Sequence, residues 1–68
     1  MLNKNLLKGA IAEKGLTQGR LAELIGMSEN TLSSRMVGSS PFNTDEIDEI
    51  CKVLEIENNN KKAEIFLA

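Results

Sequence analysis

Leu2, Leu6, Leu7, Ala10 and Ile11 recur at helical spacing, which predicts a first helix over about Asn3 to Lys14. Gly15 ends it, and Thr17 follows as an N-cap whose hydroxyl can accept from an unpaired backbone N–H of the next helix. That second helix is expected over about 18–25, with Leu21, Ala22, Leu24 and Ile25 available to a core. After Gly26, Ser28 caps a third helix over about 29–36, and Met27 and Leu32 stand at the two positions of a hydrophobic staple. Gly38 to Asn43 reads as a loop, after which Asn43 or Thr44 caps a fourth helix with Asp45 and Glu46 in its first turn. Ile47, Ile50, Cys51 and Leu54 then fall at i, i+3, i+4 and i+7, one face of a helix. Asn58, Asn59 and Asn60 read as a polar break, with Lys61 to Leu67 as a short fifth helix carrying Ile65 and Phe66. No alternating apolar run marks a strand, and Tyr and Trp are absent. The pattern predicts an all-α fold, a compact bundle of about five short helices.

A chain of 68 residues is expected to form a single domain over 1–68, too small for a two-domain enzyme with a deep cleft. One cysteine and no histidine exclude an internal disulfide and the usual Cys/His zinc site, so neither metal nor cofactor is expected. Without a nucleophile–base pair or a phosphate loop, catalysis is not expected either. A lone thiol suits a reducing compartment. The longest apolar run near the N-terminus, Ala10 to Ala12, is too short for a signal peptide or a membrane span, so a cytoplasmic location is expected. Cys51 shares the apolar face of the fourth helix and reads as an inert buried thiol, and Phe42 and Phe66 read as core anchors. The run Asp45, Glu46, Asp48 and Glu49 reads as a dipole complement on a solvated helix face.

The net charge of −2 conceals an asymmetry. Residues 1–35 hold five basic and three acidic side chains, and residues 36–68 hold three basic and seven acidic. A nucleic-acid binder is usually basic overall, and here only the first half leans that way.

Thr17 to Leu32 carries the most specific pattern, T-Q-x-x-L-A-x-x-x-G-x-S followed by a core leucine. Ala22 is small where a facing helix must approach, Gly26 suits a turn with an unusual backbone angle, and Leu32 points back between the helices. Two short helices joined this way describe a helix-turn-helix. At these residues the chain resembles the phage Cro/repressor family of regulators, and in particular its short Cro-like members. Ser40-Pro41-Phe42-Asn43-Thr44, Glu46-Ile47 and the closing Glu64-Ile65-Phe66 extend the resemblance over nearly the whole chain. It implies the lambda-repressor-like DNA-binding fold, with the third helix in the major groove and the second crossing the backbone.

At roughly 100° per residue, placing Leu32 toward the core leaves Asn30 and Ser34 on the opposite side, flanked by Thr31 and Ser33. Base contacts are therefore expected from Glu29, Asn30, Ser33 and Ser34, with Asn30 foremost because its amide can bond adenine bidentately. Backbone contacts are expected from Gln18 at a helix N-terminus, from Thr31 and Arg35, and from Ser39 and Ser40 in the loop. The function expected is sequence-specific binding of double-stranded DNA by a Cro-like transcriptional repressor acting at an operator. One domain reads about half a site, so a homodimer is expected, at least on DNA, with Ile56, Ile65, Phe66 and Leu67 as its interface. The acidic second half and the scarcity of arginine on the third helix motivate an alternative: an antirepressor that keeps the fold and docks on another phage repressor.

Overall fold

The computed structural model describes residues 2–67. Met1 and Ala68, the outermost residues of the domain expected over 1–68, lie outside the described residues. The fold is all-α, as the periodicity predicts. Its helices are α1 (Lys4–Glu13), α2 (Gln18–Leu24), α3 (Glu29–Met36), α4 (Thr44–Leu54) and α5 (Asn59–Phe66), with no strand among the described residues.

Each helix opens on a side-chain oxygen that accepts a backbone N–H otherwise left unpaired. Asn3 accepts from Leu6 at 3.1 Å, Thr17 from Arg20 at 3.1 Å, and Ser28 from Thr31 at 3.1 Å. Such a cap is worth about 1 kcal/mol, which matters for helices this short. At α4 the arrangement is reciprocal: Asn43 Oδ1 accepts from the Glu46 N–H at 2.8 Å, and the Glu46 carboxylate accepts from the Asn43 N–H at 3.0 Å. Asn43 is thus the cap and Thr44 the first helical residue. The fifth helix departs from expectation by starting inside the asparagine run, because Asn58 Oδ1 accepts from the Asn60 and Lys61 N–H groups and turns the break into a helix start.

The core draws on every helix. The largest fully buried side chains are Leu7, Leu21, Leu32, Ile50 and Ile65, one from each. α2 packs against α1, α3 and α4, while α5 returns to α1. The Asn3 N–H donates to the Ile65 carbonyl at 2.6 Å, which ties the entry of α1 to α5. Phe66 is buried and meets the half-buried Phe42 edge to face, with ring centroids 5.7 Å apart. Cys51 is buried in the same core; burial pushes its thiol pKa up, the Lys62 charge draws it down, and Asp48 pushes it up again.

Three expectations are corrected. Leu6 and Leu24 are 43% and 44% exposed, because each lies at the edge of its helix's apolar stripe rather than at its centre. Ile56, Ile65 and Phe66 are core residues, so of the segment expected as a dimer interface only Leu67 is exposed. The acidic residues of α4 are not simply solvated: Glu46 pairs with Arg35 at 2.8 Å, Asp48 with Lys62 at 3.1 Å, and Glu49 with Lys52 at 3.7 Å.

Candidate nucleic-acid interface

α2 and α3 are packed together across the turn Ile25 to Ser28. Gly26 holds φ at +71°, a left-handed angle that a side chain would strain, and the Met27 N–H closes the turn on the Ala22 carbonyl at 2.9 Å. Ala22 is buried at the contact. The first turns of the two helices also approach closely, since a Cβ on Gly19 would lie 3.0 Å from Glu29 Oε2.

This packing sorts the side chains of α3. Leu32 and Met36 are buried, and Asn30 faces solvent with no side-chain hydrogen bond among the described residues. Glu29, also exposed, sits in the first turn, where its charge suits the helix dipole. Thr31 is half-buried, and its Oγ1 accepts from the Ser28 hydroxyl at 2.8 Å. Ser33 and Ser34 are half-buried too. Gln18 Nε2 donates to Ser33 Oγ at 2.7 Å, so the start of α2 and the side of α3 form one polar face. The Ser39 N–H donates to the Ser34 carbonyl at 3.0 Å, which folds the following loop back on α3. Ser39 itself is exposed and Ser40 half-buried.

Arg35 stands apart from this face. Its Nε donates to Glu46 Oε1 at 2.8 Å, with the two side chains only 23% and 17% exposed. The guanidinium expected as a phosphate clamp therefore ties the end of α3 to the start of α4. Burial pushes the Glu46 carboxyl up, but the hydrogen bond from Asn43 and the hydrogen bond and charge of Arg35 outweigh it, holding the pKa below the ordinary value.

Sequence reasoning missed a cation on the same side. Lys8, on the exposed face of α1, lines a shallow groove of about 240 Å³ together with Gln18, Leu16 and Met36. It makes no ion pair among the described residues, whereas Arg20 is paired with Glu23 at 2.7 Å. Spacing along α1 marks Lys8 only as polar; what distinguishes it is how α1 crosses α2. Gln18, Ser33, Asn30 and Lys8 thus offer neutral donors and acceptors with one positive charge, a set suited to a polyanion with readable edges. Among the described residues no group of three or more His, Cys, Asp or Glu stands where it could hold a metal ion.

Comparison with known proteins places the chain in a family. The family described as protein of unknown function (DUF739) matches residues 3–68, so the chain belongs to it. Neither a curated protein nor a solved structure matches.

Proposed function

For this member of DUF739, we propose sequence-specific binding of double-stranded DNA as a small transcriptional regulator, of the Cro-like repressor type that its sequence resembles. The observation that carries the reading is the Gln18–Ser33 hydrogen bond. It joins a helix start, suited to a phosphate, to the side of α3 that also bears the exposed Asn30. In this reading α3 enters the major groove, Asn30 reads a base edge with Glu29, Ser33 and Ser34 beside it, and Gln18, Thr31, Ser39, Ser40 and Lys8 meet the backbone. Arg35 acts through Glu46 to fix the end of α3 rather than as a free phosphate clamp.

Selection from random duplexes followed by anisotropy titration tests this. The expected outcome is one preferred site with two-fold symmetry, bound with an affinity that falls steeply as salt rises. Asn30→Ala should weaken the selected site by about tenfold and random DNA hardly at all. Equal losses on both would remove Asn30 from base reading, and no binding at low salt would remove DNA as the ligand.

A second reading draws on the ion pairs. Both arginines are engaged by glutamates, leaving little free guanidinium for base reading. A protein-docking modulator that covers another regulator's basic DNA-binding face needs no such group. It is favoured if DNA binding is absent at low salt and the purified chain forms a complex with a basic helix-turn-helix repressor.

A further inference from the structure

We propose that the groove beside the α2–α3 turn docks a basic segment of a partner protein, with one arginine of that segment seated in it. The groove, of about 210 Å³, is lined by Ile25 and Met27 from the turn and by Asn43, Asp45, Glu46 and Glu49 from the cap and start of α4. Its volume lies below the roughly 300 Å³ at which small-molecule sites begin, so it suits a side chain rather than a whole ligand. Ile25 and Met27 are half-buried, so apolar surface and carboxylates share one groove. Leu24, at the same end of α2, is 44% exposed and leaves further apolar surface facing water.

Charge names the occupant. Among the described residues no lysine or arginine lines this groove. Glu46 is matched by Arg35 at 2.8 Å, and the two together are neutral. Asp45 makes no ion pair among the described residues. Lys52 approaches Glu49 at 3.7 Å, but both side chains are exposed, so the pair is worth little, and Lys52 lines the groove at the end of α4 instead. In that groove Lys62 holds Asp48 at 3.1 Å, Lys14 holds Glu55 at 3.3 Å, and Lys52 stands with Glu57. Between α1 and α5, Lys61 stands with Glu13 and Glu64. Asp45 and Glu49 are therefore the least compensated pair of carboxylates in any of the three acidic grooves. They lie four residues apart on α4, where like charges oppose the helix. The helix dipole offsets Asp45, in the first turn, but fades before Glu49. The fold leaves this repulsion in place, and a cation seated between the two relieves it.

An arginine satisfies both parts of the groove. Its aliphatic stem covers Ile25 and Met27, and its planar, weakly hydrated guanidinium can bridge two carboxylates. Met27 is unbranched and adapts to the stem that lies on it. A nucleic acid has the wrong sign for this surface. A second copy of this chain offers no free guanidinium, because Arg20 and Arg35 are both engaged by glutamates. Gln18, Asn30, Ser33 and Lys8 do not line the groove, so docking here does not rest on the DNA reading, and the two ligands would touch different residues.

The probe is a helical peptide of leucine and arginine, titrated into the full chain up to about millimolar peptide while backbone amide shifts are recorded by NMR. Saturable shifts centred on Ile25, Met27, Asp45 and Glu49 are expected, and a peptide with glutamate in place of every arginine should cause none. Asp45→Asn combined with Glu49→Gln should weaken the binding by about tenfold. Glu57→Gln and Glu64→Gln, in the other two acidic grooves, should leave it unchanged. Circular dichroism reads the fold of each variant, and Glu49→Gln alone should not lower the Tm, which separates docking from a structural role. Shifts centred on another groove, equal binding by both peptides, undiminished binding by the doubly neutral variant, a lowered Tm for Glu49→Gln, or no shift at all would overturn the assignment. Duplex binding is scored separately. Its failure with peptide docking intact removes the DNA reading and keeps this one, and the converse result does the reverse.

Discussion

Between Thr17 and Val37 the outward polar side chains are mostly neutral, Asn30 and the serines among them, whereas between Asn43 and Phe66 they are mostly charged and paired. The halves share one core, so packing does not separate them. What differs is the use of polar groups. In α4 and α5, Glu46, Asp48 and Lys62 hold elements to one another across loops. In α2 and α3, the Gln18 to Ser33 bond links the helices, and Asn30 makes no side-chain hydrogen bond among the described residues. Paired charges are thus concentrated in one half of the chain and neutral polar groups in the other.

The largest test of this division asks whether the shared core overrides it. Leu32→Ala, at a position with no exposed surface, should cost roughly 3 kcal/mol and melt both halves in one transition. Two separate transitions by circular dichroism would show that the halves are independent after all. Next is the anchor itself. Glu46→Ala removes the carboxylate half of the reciprocal cap and the pair to Arg35, and should cost about 2 kcal/mol, or about 4–8 °C in Tm per kcal/mol for a domain of this size. Glu23→Ala, which breaks an exposed pair, should cost less than about 0.5 kcal/mol; similar losses for the two would erase the contrast.

The anchor also has a pH signature. The folded protein holds the Glu46 proton more weakly than the unfolded chain, because the folded pKa lies below the ordinary value of 4.5. Its contribution is complete above that value and is lost as pH falls through the folded pKa. The Tm difference between the parent and Glu46→Ala should therefore narrow on acidification, and a difference that widens instead would reverse the assignment. An effect smaller than that of Glu46→Ala is expected at the α2–α3 turn. Gly26→Ala forces a side chain into a left-handed backbone and should cost about 1 kcal/mol; an unchanged melting curve would mean the turn relaxes freely.

The first four helices were legible because short-range signals agree: Thr17 and Ser28 cap, glycines stop, and apolar residues recur on one face. The start of α5 was not, because three successive asparagines are each competent caps and poor helix formers, and sequence does not say which one caps. Leu6 and Leu24 satisfied helical spacing, but their exposure depends on how wide a stripe the neighbouring helices cover. The candidate face divides in the same way. The outward position of Asn30 follows from helical rotation alone. The Arg35–Glu46 and Gln18–Ser33 partnerships join residues 11 and 15 positions apart across turns, and no local rule pairs them.

The bond from Gln18 to Ser33 also has an entropic meaning. Immobilising a flexible side chain on association costs about 0.5–1.5 kcal/mol. Gln18 is already held in the free protein at 2.7 Å from its partner, so whatever meets that face need not order it again, while Asn30 must still be ordered on contact. On the proposed DNA reading, one position on the face is set before the duplex arrives and the other adapts to it.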